Sequence, residues 1–372
     1  MTLHFPNISW RASARYALLS TLTLGALTAC SDSTGSSGSE SARINFLPYP
    51  YPQAVSPDGK TVMIQNLGGA TGSEIYLYDV ATRHLSLSTA AGPNPNDIAW
   101  GLSNNGVIAS AYGDPVQAGI WTQAAGWQVL PLTYPAGCDP FLAMAWDVSA
   151  DGSVVVAGDE DGCASTSSYL WSNGTVTQLE ILGAGQNVAQ VISDDGSTAA
   201  GHAPVSSLDR WPAIWHADGS GFLLPSAGIF PDDCPGGINA LSADGSMAAG
   251  VWCQHAFYWT QSGGPVDLGL LPGTDPSDAS FANAIAANGQ LIFGTNGNGF
   301  NGPQQPFVWT AALGMRSLPD LLNHFVSKVP EGYTLLTANA ASADGTVVIG
   351  QALGPDGPVS YVLTAPVQYY GL

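Results

Sequence analysis

The chain has 372 residues and a formal charge of −20, from 28 acidic and 8 basic side chains. A surface this acidic repels phosphate backbones and anionic lipid, which excludes nucleic acid as a partner and excludes purely electrostatic docking to membranes. Only 10% of residues are charged, while 11 tryptophans and 45 glycines are present, so the composition is not that of a disordered polyelectrolyte.

In chain order, residues 1–29 read as an export signal. Arg11 and Arg15 form a positive head, and Tyr16 to Leu27 form an apolar run. That run is well short of the roughly 20 residues needed to span a bilayer and suits a secretory signal. It ends in Leu27-Thr28-Ala29-Cys30, which resembles the lipobox of bacterial lipoproteins. The resemblance implies cleavage before Cys30 and acylation of its thiol and new amino group, enough chains for stable anchoring. Ser31 follows the cysteine where an aspartate would favour inner-membrane retention, so the expected location is the outer membrane or cell surface. Loss of residues 1–29, with two arginines and no acid, leaves a mature charge of −22. The Ser/Gly-rich stretch to residue 42 reads as a flexible tether.

From residue 43 to 372 one unit recurs: an apolar strand, a Ser-x-Asp/Asn-Gly turn, a second strand, an aromatic third strand, then a fourth. The turns are Ser56–Gly59, Ser103–Gly106, Ser149–Gly152, Ser193–Gly196, Ser242–Gly245, Ala286–Gly289 and Ser342–Gly345. Their glycines lie 47, 46, 44, 49, 44 and 56 residues apart. A period in the forties with four strands per unit predicts an all-β, seven-bladed β-propeller with four-stranded antiparallel blades. Asp-Gly and Asn-Gly tolerate the positive φ of a tight hairpin. The third-strand aromatics Tyr78, Trp121, Trp171, Trp215, Trp259 and Trp309 recur at one register, as does Leu363 in the last unit. One per blade, they read as packing between blades, not as a ladder of ligand contacts.

The last unit has clear strands only to Val359–Thr364. Arg43–Leu47 resembles the fourth strand of other units, so the ring is expected to close by an N-terminal strand entering the last blade. The alternative places Val367–Leu372 in that slot.

Cys30 apart, four cysteines remain in an oxidising setting. Cys234 and Cys253 each stand eight residues outside the Ser242–Gly245 turn, and Cys138 and Cys163 each stand eleven outside Ser149–Gly152. Residues equidistant from a hairpin turn face each other across its open end. The expected disulfides are therefore Cys138–Cys163 and Cys234–Cys253. A metal site is disfavoured by the absence of CxxC, with only His255 close to a cysteine.

His255-Ala256-Phe257-Tyr258-Trp259-Thr260, followed by Val266-Asp267-Leu268-Gly269-Leu270-Leu271-Pro272-Gly273, resembles the HAF-type extracellular repeat family. Asn283–Gln290 continues the pattern, and Gly332-Tyr333-Thr334-Leu335 through Ser342–Gly345 resembles that family's last unit. The likeness is specific over residues 230–365 and implies an exported repeat protein. It brings no catalytic residues. His255, at a strand start beside a predicted disulfide, reads as a structural or surface histidine.

Connections from second to third strand and from blade to blade are long and varied, and by alternation all emerge on one face. One of them, after Pro319, has the pattern of a short helix. Long loops on a rigid scaffold are where binding sits. This face carries Asp114, Asp139, Asp159, Glu160, Asp161, Asp232, Asp233, Asp275 and Asp278. The hard oxygens of Asp159, Glu160 and Asp161 suit calcium, though without EF-hand spacing, and no other cofactor is indicated.

Three residues before each turn's first position stand Gln53, Trp100, Trp146, Gln190, Asn239, Asn283 and Asn339. As a ring they would line the long-loop end of the channel with amides and indoles, which suits sugars or peptides; the competing reading has them satisfying backbone groups and wedging between blades. Trp211, beside Asp209-Arg210, is the aromatic expected to be exposed. Catalytic motifs are missing, and His84, His202, His216, His255 and His324 form no cluster along the chain. The leading expectation is a cell-surface binding or adhesion module acting through this face, with a glycan as the candidate ligand. The alternatives are a carbohydrate-active hydrolase or lyase, with acids that converge only in space, and a scaffold for envelope proteins.

Overall fold

In the computed structural model the described residues are 42–69, 72–88, 98–112, 116–132, 143–159, 167–183, 185, 187–206, 209–297, 304–324 and 328–372. They form seven antiparallel sheets, six of four strands and one of five. Blades 1 to 6 begin at Tyr51, Ile98, Ala143, Val188, Gly236 and Ala279, and each is built from consecutive strands in order. Blade 7 takes Thr334–Leu335, Ala340–Ala341, Val347–Gly354 and Gly357–Thr364, then Arg43–Leu47. The register Arg43↔Thr364 to Leu47↔Ser360 closes the ring with the N-terminal strand. Val367–Tyr370 is instead a 3-10 turn. Leu318–His324 is a short helix.

The recurring turn has a local cause. In six blades the serine hydroxyl donates to the Asp or Asn side chain two residues on. The same oxygen accepts the first backbone N–H of the returning strand. All seven turn glycines have positive φ, from 67° to 85°. The turns are also joined to one another around the ring. Asn104 N–H bonds Ala150 O, Ala150 N–H bonds Asp194 O, Asp195 N–H bonds Ala243 O, and Ala343 N–H bonds Pro57 O. Asp58 N–H bonds Asn104 Oδ1 and Ala287 N–H bonds Ala343 O. Among the described residues no such bond joins blades 5 and 6, where Ala286 replaces the serine and Ala287 and Asn288 take positive φ.

Each blade's first strand carries an irregularity at the position singled out in the sequence. The register shifts at Gln53, Trp100, Trp146, Gln190, Asn239 and Asn283 in blades 1 to 6, and Asn339 stands in the interruption of the first strand of blade 7. A β-bulge re-aims one side chain and pushes backbone toward the neighbouring strand. The second strand answers with glycine. A Cβ on Gly201, Gly250, Gly294 or Gly350 would lie about 2 Å from the carbonyl oxygen of Val188, Gly237, Phe281 or Thr337. In blade 2 the residue at that place is Ser110, whose hydroxyl donates to Ile98 O at 2.9 Å.

The core lies between blades. Tyr78, Trp121, Trp215 and Trp259 are buried, Leu363 likewise, and Trp171 and Trp309 are half-buried at the same register.

Candidate functional site

The structure separates the seven bulge residues into two groups. Trp100 and Trp146 are 2% and 4% exposed, their rings 5.4 Å apart in a cluster drawn from blades 2, 3 and 4. They wedge between blades and present no face to a ligand. Asn239 donates to Ala282 O at 3.1 Å and Asn283 to Ala338 O at 2.9 Å, each tying its first strand to that of the next blade. Gln53 donates to Gln65, and Asn339 accepts from Thr337 within its own blade. Gln190 is half-buried and makes no side-chain hydrogen bond among the described residues.

The short-turn end of the ring holds an open basin of about 660 Å³, formed by the turns of blades 1 to 4. Asp58, paired with Lys60 at 2.8 Å, and Asn104, Asp151, Asp194 and Asp195 line it. Asp194 is the one acid at its turn position. Burial, then the charges of Asp147 and Asp195, push its carboxyl up to about 6. Asp147 itself accepts the backbone N–H groups of Val148 and Ile192, bridging blades 3 and 4. This end is a lattice of mutually satisfied turns.

The long-loop end differs most at the junction of blades 4 and 5. Trp211 is half-buried, its indole N–H donates to Asp232 O at 3.2 Å, and its ring lies 5.9 Å from that of buried Trp252. Trp252 stacks on Phe230 at 4.9 Å and donates to Cys234 O. The Cys234–Cys253 disulfide, with a Cα–Cα distance of 5.2 Å, staples the open end of the first hairpin of blade 5, as the turn symmetry predicts. Blade 5 also departs from the long-loop pattern, because its second and third strands are joined by Cys253-Gln254 alone, both at positive φ. Blade 7 is tight at the same place, between Gly354 and Gly357.

Beside Trp211, Arg210 and His202 stand on adjacent strands as diagonal neighbours, one register step apart, with Arg210 Nη1 3.5 Å from His202 Nε2. Both are half-buried. Burial and then the Arg210 charge push the His202 imidazole down to about 3, so the ring is neutral and accepts from the guanidinium. Burial lowers the Arg210 value, and among the described residues no carboxylate is paired with it. Neighbouring Asp209 is engaged by Ser206, and Asp232 by Ser226. The sequence drew attention to Trp211. It named Arg210 only as a neighbour and His202 only as one of several scattered histidines, because their meeting depends on strand register.

His255 begins a strand with Nδ1 3.0 Å from Asp267, a surface pair. Among the face acids, Asp275 caps its own loop through Ser277. Asp114, Asp139, Glu160 and Asp161 lie outside the described residues, as do the side chain of Asp159 and the residues Cys30, Cys138 and Cys163. Among the described residues no three carboxylate, histidine or cysteine side chains are grouped to hold a metal ion, and no helix is long and apolar enough to cross a membrane.

No family model and no curated protein matches the chain. Among solved structures, it is similar to an oligogalacturonate lyase from Vibrio parahaemolyticus, 13% identical, with 88% of this chain and 92% of that one covered and a TM-score of 0.55. It is similar to a virginiamycin B lyase from Staphylococcus aureus, 12% identical, covering 87% and 99%, with a TM-score of 0.52. TolB from Acinetobacter baumannii is 18% identical over 60% of this chain with a TM-score of 0.42, and the chain spans about half of TolB's length, 54%. At these identities the first two likenesses establish the propeller fold and nothing finer.

Proposed function

We propose that the protein is an exported binding module of the HAF type, anchored through Cys30 to the outer membrane or cell surface, that holds a glycan on its long-loop face. The observation that carries this reading is the half-exposed Trp211, fixed on a stapled aromatic wall at the junction of blades 4 and 5. A rigid indole face with hydrogen-bonding side chains beside it is the ordinary means of holding a sugar ring. Export is supported by the lipobox resemblance and by a disulfide, which persists in oxidising compartments. Anchoring is tested by Cys30→Ser, which releases the protein from the membrane fraction if the proposal holds.

Binding is tested on the chain from Ser31, which contains all seven blades and the closing strand. Polysaccharide retention is compared for wild type, Trp211→Ala and Trp146→Ala. The expected outcome is retention lost in Trp211→Ala and kept by whatever fraction of Trp146→Ala folds. Retention untouched by Trp211→Ala refutes the site. No retention by the folded chain refutes the glycan reading and favours an envelope protein as partner.

A further inference from the structure

Arg210 is a half-buried cation that has no counter-ion among the described residues, in a chain of net charge −20. Acids outnumber bases 28 to 8, so an arginine in a structural role has carboxylates to choose from. Lys60, for example, takes one at 2.8 Å. Among the described residues the Arg210 guanidinium instead meets the neutral His202, through a single long contact from one of its five N–H groups. Withdrawing a guanidinium from water with most of its donors unpaired is unfavourable, and a ligand carboxylate would supply the missing acceptors.

The surroundings define that acceptor. His202 packs on Gly237, where a Cβ would stand 3.6 Å from Nδ1, so the blade 5 side of the pair is glycine backbone. The two-residue Cys253-Gln254 turn leaves no long loop from blade 5 to cover it, and the disulfide holds that wall in place. Trp211 meets the same wall of blade 5, because its ring lies against Trp252, whose strand partner Gly236 precedes the Gly237 on which His202 packs. The assembly therefore has one fixed positive charge, a planar fork of donors and an aromatic surface.

From this we infer that the glycan held at the blade 4–5 junction is a uronate, its carboxylate seated on Arg210 and its ring against Trp211. The inference rests on the glycan reading above. One guanidinium matches a singly charged, planar carboxylate through paired N–H···O bonds, whereas a doubly charged phosphate or a heavily sulfated chain would meet the acidic surface with too little positive charge to offset it.

The test uses the chain from Ser31 with three probes: alginate (a polyuronate), dextran (neutral) and dextran sulfate. The expected result is preferential binding of alginate, weakened about 10- to 100-fold by Arg210→Gln, the range for losing a charged hydrogen-bonded contact. Arg210→Lys recovers part of the loss, because it restores charge without the fork. With the unaltered protein, free glucuronate displaces alginate and free glucose does not, which keeps the inference testable if Arg210→Gln fails to fold. Equal binding of alginate and dextran, or displacement by glucose as readily as by glucuronate, overturns the inference and leaves the glycan reading intact. Dextran sulfate bound as tightly as alginate through Arg210 overturns the carboxylate assignment. Failure to bind any probe, by a chain with native unfolding behaviour, overturns both.

Discussion

Replacing Asp194 with asparagine removes a charge from the short-turn basin while leaving its backbone in place. Its carbonyl still accepts Ala150 N–H, and the equivalent positions in other turns are Pro57, Asn104, Ala150, Ala243, Ala287 and Ala343. The carboxyl is pushed up to about 6, chiefly by burial and then by Asp147 and Asp195, against an ordinary value of 3.8. The folded chain thus holds this proton more tightly than the unfolded chain. The penalty is absent below about pH 4, grows as pH rises toward 6, and is constant above. A gap of two units corresponds to about 3 kcal/mol. Partial solvent access reduces the expected gain for Asp194→Asn to about 1–2 kcal/mol at pH 8. Urea unfolding of both proteins at pH 4, 6 and 8 isolates the effect, because all other carboxylates are common to the pair. A difference that is the same at pH 4 and pH 8, or a less stable variant at pH 8, would refute the reasoning.

Two further outcomes follow from backbone geometry and cross-linking. Gly250→Ala places a methyl group 2.0 Å from Gly237 O and should cost more than about 3 kcal/mol, read as a large drop in unfolding midpoint or loss of soluble protein. The double variant Cys234→Ala/Cys253→Ala opens a 19-residue loop and should lose about 3 kcal/mol, with a reducing agent destabilising wild type but not the variant. A stability unchanged by either treatment would show that the bond contributes nothing to the fold.

The architecture was legible because its signals are local. A serine hydroxyl reaching an aspartate two residues away, and a glycine at positive φ, leave the same four letters in nearly every blade. The cysteine pair was legible for the same reason, since Cys234 and Cys253 are placed by their own hairpin. The position three residues before the turn was visible as a recurrence, yet its meaning was not. A bulge is a matter of register with the second strand, and only the glycines at 201, 250, 294 and 350 hinted at it. Trp211 was marked by its place beside a loop, but the burial of Trp100 and Trp146 could not be read from the sequence. Their exposure depends on what the neighbouring blade brings opposite, as Trp146 of blade 3 does for Trp100 of blade 2. Arg210 and His202 stayed hidden because only the register of two adjacent strands brings them together.

Ring closure by Arg43–Leu47 has a kinetic consequence. The bond between Gln351 Nε2 and Pro50 O spans 301 residues, and Arg43 pairs with Thr364. Blades 1 to 6 can each form from nearby chain as it emerges, but the last blade must wait for the C-terminal strands and then recapture the first strand made. Pairings this distant in sequence are slow to form. Until that moment the six earlier blades form an arc with two unpaired ends, vulnerable to proteases and to edge-to-edge association. Folding rate and susceptibility to proteolysis should therefore be set by this one five-residue strand far more than by any of the tight turns.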